Sequence, residues 1–137
     1  METYWIWGDK MRAVVLDTNA LMMPYQFGIN IEKEINRLLG ICRIIVPHTV
    51  VEEMERLAEE GGETGRAAQL GLSIIRKRGF RLMETENRGD DGILETALKI
   101  DGAVVTNDKE LKERAKELKL PVIYLRGGSR LEIEEIF

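Results

Sequence analysis

Ala13-Val14-Val15-Leu16-Asp17-Thr18-Asn19 constrains the fold more than any other stretch of this chain. An unbroken apolar run with no polar alternation is a strand buried on both faces, as in a parallel sheet. Asp17 falls where that strand ends, and in open α/β sheets ligands gather outside the carboxyl ends of the strands. A buried carboxylate is costly unless something pairs with it. Taken alone, Asp17 can equally be the cap of a following turn or helix.

The same alternation continues downstream. Residues 12–16 form the first strand, and Pro24 and Gly28 bound a loop or broken turn. Asn30 caps a helix over 31–39 that Gly40 stops. Residues 42–46 are a second buried strand, closed by Pro47. Thr49 and Glu52 have capping-box spacing, which starts a helix near Val50 and leaves Gly61-Gly62 to break it. A helix over 63–78 ends at Gly79 and leads to a short strand, 80–83. Asn87 or Asp90 starts the next helix, and residues 103–106 form a strand. Asn107 and Glu110 give another capping box, with a helix to Leu118. Residues 121–125 are the last parallel strand, and the tail 126–137 is free to pair as an edge. Strands alternating with helices, joined by right-handed crossovers, place helices on both faces of a mainly parallel sheet.

Length and charge narrow the function. A chain of 137 residues with 44% apolar content suits one domain with a real core. Residues 1–11, which hold Trp5 and Trp7 beside Tyr4, do not match the rest. They suit a short extended segment: an extra edge strand, a dimer contact or a non-native extension. The domain proper is 12–137. No apolar run approaches the roughly 20 residues of a membrane span. One cysteine, Cys42, and the lack of a secretory signal pattern fit a reducing cytoplasm. The net charge of −4 excludes a broadly basic nucleic-acid binder, so any such partner is held by a local patch with the help of metal ions. Among 24 acidic residues only 6 are Asp, and four of these, Asp17, Asp90, Asp91 and Asp108, lie at element ends. Two glutamines amid abundant Glu, Lys and Arg hint at a thermophile.

Asp17, Glu52/Glu53, Asp90/Asp91 and Asp108 thus stand at the carboxyl ends of strands or in the first turn of the helix that follows. In a parallel sheet those positions share one rim. Carboxylates within about 6 Å of one another raise each other's pKa unless cations hold them. Hard divalent ions with oxygen ligands supply that counter-charge, and Mg²⁺ keeps waters that leave room for phosphate. Each acid alone can be a helix-terminus residue, since the helix dipole favours carboxylates there. Asp17 and Glu53, however, do not need to cap anything.

Four segments carry a family resemblance: Val15 to Leu21, Val46 to Met54, Asp90 to Leu94, and Val104 to Asp108. In this order and spacing they resemble the PIN domain, over about residues 12 to 126. PIN domains are metal-dependent ribonucleases related to flap endonucleases and include VapC-type toxins and nucleases of ribosomal RNA processing. The resemblance implies a three-layer α/β/α fold with a mainly parallel sheet of about five strands, a Mg²⁺ or Mn²⁺ site on its rim, RNA as substrate and, for a toxin, an antitoxin partner. With the thermophile-like composition it points to an archaeal source. It also implies the roles. Asp17, Glu53, Asp90 and Asp108 are the catalytic acids. Asp17, Asp90 and Asp108 bind metal, with Asp91 as an alternative to Asp90 or an extra ligand. Thr18, Asn19, Thr106 and Asn107 hold these groups in place.

Outside that set, Arg76, Lys77, Arg78 and Arg81 form a basic cluster that can contact an RNA backbone or serve only as a solvated helix end. His48, the single histidine, reads as structural. Gly127-Gly128 lacks the following helix that a phosphate loop needs. A receiver domain would need an acidic pair after the first strand and a lysine after the last, and the sequence has neither. A PIN fold that only binds RNA or protein would be expected to lose rim acids. Pairing among PIN relatives and the aromatic residues at Tyr4–Trp7 lead to the expectation of a homodimer.

Overall fold

A computed structural model of the chain describes residues 13–134. The extension 1–11, with its expected dimer contact, lies outside them. Strand β1 (Ala13–Leu16) is fully buried and takes the centre of the sheet. Its neighbours are β2 (Arg43–Pro47) and β4 (Ala103–Val105), with Val14 level with Ile44 on one side and Ala103 on the other. Beyond them lie β3 (Arg81–Met83) and β5 (Val122–Arg126), giving five parallel strands. The tail returns as β6 (Arg130–Glu134), antiparallel to β5, so the order is β3-β2-β1-β4-β5-β6. The sheet is the middle layer of a three-layer α/β/α fold. Parallel strands of this kind must be covered on both faces, which is why β1, β2 and β4 are apolar throughout their buried positions.

Six helices are described: α1 (Thr18–Phe27), α2 (Ile31–Leu39), α3 (His48–Ala58), α4 (Gly62–Arg78), α5 (Gly89–Ile100) and α6 (Lys109–Glu117). Helices α1, α3 and α4 pack on one another, while α5 lies against β1, β2 and β4. Among the described residues no helix is long and apolar enough to cross a membrane.

Three local expectations need correction. The loop expected around Pro24 is helix α1, with Pro24 inside it. A mid-helix proline costs about 3 kcal/mol. Here Ala20, Leu21, Met22, Met23 and Pro24 are all buried, and burial on nearly every side of the helix outweighs intrinsic propensity. Gly28 then closes the helix in the left-handed region (φ 69°), its N–H reaching the Pro24 carbonyl at 2.9 Å. The capping box at Thr49 and Glu52 does not form. Strand β2 runs straight into α3 with Pro47 at the cap position, so Thr49 is already inside the helix and buried. Glu52 instead pairs with Arg88 at 2.6 Å. The box at Asn107 is displaced by one residue, because Asp108 caps α6 through Leu111 N (2.8 Å).

Candidate active site

Because β1 to β5 are parallel, their carboxyl ends share one rim, and each acid-bearing segment leaves the sheet there. Asp17, Glu53, Asp90 and Asp108 line a single cavity of about 240 Å³ on that rim, with Thr18, Asn19, Thr49 and Gly89. These four acids come from stretches of sequence up to 91 residues apart. At about 30 Å³ per water, the cavity has room for a phosphodiester with a partly hydrated ion.

Asp17 is the pivot and is only 7% exposed. One oxygen, Oδ1, accepts from Ala20 N at 2.7 Å and caps α1; the other accepts from the Thr106 hydroxyl. The expectation that Asp17 has nothing to cap is therefore wrong: the residue caps a helix and faces the cavity at once. Its pKa is raised from 3.8 to about 7, chiefly by burial. The bonds from Thr106 and Ala20 work against that rise, and the negative fields of Asp90 and Asp108 add to it. Thr106 Oγ1 also accepts from Asp108 N at 3.0 Å, so one hydroxyl ties two of the acids together. Asp108 spends Oδ1 on its own cap, which leaves Oδ2 for the cavity.

Asp90 sits in the first turn of α5, and its pKa is raised by burial and by Asp108. Asp91, one residue on, is rotated about 100° around the helix. It lies outside the acid cavity and pairs with Arg114 at 2.5 Å. The structure thus brings Asp90, and not Asp91, to the other acids. Glu53 projects from the second turn of α3 and is oriented by the Thr18 hydroxyl, which donates to Oε1 at 2.8 Å. Asn19 and Asn107 act on the backbone instead of the acids. Asn19 Oδ1 accepts from Asn107 N (2.9 Å), and the Asn107 amide makes a two-way clasp with Leu125 N and O. Together they lock the starts of α1 and α6 to the end of β5.

The basic cluster is elsewhere. Arg76, Lys77 and Arg78 end α4, Arg81 begins β3, and Arg78 pairs with Glu32 at 2.6 Å. All four lie toward the amino ends of the strands, across the sheet from the acids. His48 is half-buried with Nδ1 3.4 Å from the Met83 carbonyl, beside the sheet and outside the cavity lining. Sequence reasoning missed Glu95, whose carboxylate accepts from Glu86 N, Asn87 N and Asn87 Nδ2 at 2.9–3.1 Å. Those bonds, the Glu86 N–H first, pull its pKa down to about 2 and pin the loop that delivers Asp90. Its one advance signal was a glutamate on the second turn of a helix that follows an Asn-Arg-Gly loop.

The donor set is all oxygen, the choice of hard divalent cations. Among the described residues no basic side chain lines the cavity. Among the described residues no three His, Cys, Asp or Glu side chains converge closely enough to hold an ion on their own. The set therefore suits an ion that keeps several waters and takes one or two carboxylates directly.

Residues 14–128 match the model of the PIN like domain family, and the chain belongs to that family. Ribonuclease VapC9 of Archaeoglobus fulgidus is 35% identical over 127 residues, covering 92% of each chain. Ribonuclease VapC4 of Methanocaldococcus jannaschii is 33% identical over 127 residues, covering 90% of this chain and 97% of the relative. Among solved structures, the PIN domain endonuclease Utp24 is similar with a TM-score of 0.75 at 22% identity, covering 90% of this chain and 92% of its own. A domain of a functionally unknown protein from Methanocaldococcus jannaschii follows with 0.62 at 20% identity, covering 92% and 99%. At those identities the two structures speak for the fold.

Proposed function

We propose that the chain is a metal-dependent endoribonuclease of the VapC toxin type, acting in the cytoplasm on single-stranded RNA or RNA loops, with an antitoxin protein as its partner and a homodimer as its working form. The observation that carries the reading is the single rim cavity that collects Asp17, Glu53, Asp90 and Asp108 from four separate segments. Two relatives named as VapC ribonucleases, alike along nearly their whole length, support the VapC type, while the likeness to the PIN domain endonuclease Utp24 extends to the fold. An intact set of four acids favours catalysis over a module that only binds.

Asp17, Asp90 and Asp108, which all line the cavity, would hold Mg²⁺ or Mn²⁺, one or two of them directly and the rest through the waters the ion keeps. When bound, such an ion acidifies its water and neutralises charge on a phosphate. The protein's own groups do the rest. Thr106 and Ala20 N fix the plane of the Asp17 carboxylate, and Thr106 sets Asp108 beside it. Glu53, oriented by Thr18, accepts a proton from the water whose oxygen attacks phosphorus in line. The P–O bond opposite that water breaks, and its electrons leave with the departing ribose oxygen. A shallow rim admits an unpaired strand more readily than a stacked duplex, and single strands are where RNA bases splay out.

The test is a labelled hairpin RNA incubated with Mn²⁺, Mg²⁺ or EDTA. Cleavage within the loop is expected with either ion, none in EDTA, and a loss of at least about a hundredfold in Asp17→Asn and Asp108→Asn. Cleavage that persists in EDTA, or that survives both substitutions, refutes the mechanism.

A further inference from the structure

The acid cavity is open on one side. Thr49, Glu53 and Gly89, which line it, also line a second cavity of about 270 Å³ whose other walls are Glu52, Arg56 and Arg88. The passage lies between α3 and the start of α5. Across the shared wall the chemistry changes. Among the described residues the acid cavity has four carboxylates and no base, whereas the adjoining one sets two guanidinium groups, whose side chains are 63% and 68% exposed, against the carboxylates of Glu52 and Glu53. By contrast, the groove around Asp91, Leu98, Arg114 and Leu118 shares no lining residue with the acid cavity.

Both arginines are held in place by partners they can give up. Arg88 meets Glu52 at 2.6 Å, and Arg56 lies between Glu53 (3.7 Å) and Glu60 (3.3 Å). Exposed ion pairs of this kind contribute little, and each guanidinium has five donors, most of them unspent here. Phosphate oxygens accept from such a fork in the same two-pronged way as a carboxylate. A strand with its scissile phosphate among four acids must find its cationic grip outside that cavity, and this passage is continuous with it.

We propose that Arg56 and Arg88 bind a backbone phosphate of the RNA strand adjacent to the scissile one, with Glu52 as the tether that Arg88 exchanges for phosphate. The inference rests on the endoribonuclease reading and names how that site grips its substrate. It assigns these residues to substrate binding and not to the chemical step. It also makes Glu52 an inhibitor of binding, which a merely structural bridge between α3 and α5 would not be.

The experiment measures kcat and KM on a single-stranded RNA oligonucleotide with Mn²⁺ at several salt concentrations, and the Kd of the same RNA in an Asp17→Asn background. Arg56→Gln and Arg88→Gln should each raise KM and Kd about tenfold, with kcat little changed in Arg88→Gln; Arg56→Gln also takes a cation from beside Glu53, so its readout is Kd in the Asp17→Asn background. Each should flatten the logarithmic salt dependence of Kd by about 0.7. Glu52→Gln should lower KM. Lys119→Asn, which removes a cation at the amino ends of the strands, should change none of these. Unaltered KM and salt slope in both arginine variants of an enzyme that cleaves would overturn the proposal. So would a Glu52→Gln variant that weakens binding as Arg88→Gln does, because that pattern marks a structural brace. A wild type that binds RNA with the arginine-dependent slope yet never cuts it would instead refute the nuclease reading and leave the phosphate groove standing.

Discussion

In the ion-free protein Asp17 works against the fold, and the penalty should be readable as a pH dependence. Its pKa is raised from 3.8 to about 7. Between those values the native state holds a proton that the unfolded chain has released, so stability falls as pH rises through the window from about 4 to 7 and is flat on either side. At about 1.4 kcal/mol per pKa unit, the loss reaches a ceiling of about 4 kcal/mol by pH 8. Asp17→Asn removes the ionisation. Its Oδ1 keeps the Ala20 N–H, but its amide meets the Thr106 hydroxyl where a carboxylate oxygen had been, at a cost of about 1 kcal/mol. The stability curves of wild type and variant should therefore cross. At pH 4 the variant is the weaker by about 1 kcal/mol, and at pH 8 it is the stronger by about 3 kcal/mol. Asp90 is shifted in the same direction, so the quantity to follow is the difference between the two proteins. Urea unfolding in EDTA at half-unit steps from pH 4 to 8 gives that difference directly. Mn²⁺ should then raise the wild type at pH 8 and move the variant much less, by linkage. Parallel curves in EDTA would refute the argument that burial, and not the neighbouring hydrogen bonds, sets the state of Asp17.

Three further outcomes follow from the geometry. Gly92→Ala places a Cβ 2.5 Å from the Asn87 carbonyl; it should cost about 1–3 kcal/mol in thermal unfolding and, by shifting the loop before Asp90, lower kcat more than it raises KM. Glu52→Ala should move Tm by less than about 2 °C, because the residue caps nothing and its pair with Arg88 is exposed. Light scattering at micromolar concentration should give a dimer for the full chain and a monomer for a chain starting at Met11, and two monomers would dismiss the proposed role of Tyr4 to Trp7.

What could be read from the residues, and what could not, divides along a physical line. Strand β1 was legible because full burial on both faces leaves an apolar run that nothing else explains. Helix α2 was legible because its cap and its stop, Asn30 and Gly40, are local. The rim itself was legible because parallel strands put every carboxyl end on one side, whatever the loops do. Helix α1 was not, since Pro24 argues against it locally and the burial that overrides Pro24 is tertiary. The capping box failed for a similar reason: Thr49 and Glu52 have the right spacing, but the helix start is set by where β2 stops. The choice between Asp90 and Asp91 turned on the phase of α5, which spacing in the sequence leaves open by one residue. The Glu52–Arg88 pair and the Glu95 clasp join segments that only folding brings together.

The position of β1 between β2 and β4 has a consequence for the birth of the molecule. A chain made from its amino end releases Asp17, Glu53 and Asp90 first, and β1 can pair with β2 early. The acid cavity, however, closes only when β4 has docked on the other side of β1 and carried Thr106 and Asp108 into place. If the chain cuts RNA as proposed, it does so only after most of it has been synthesised, and the messenger being translated is spared by the nascent chain it encodes.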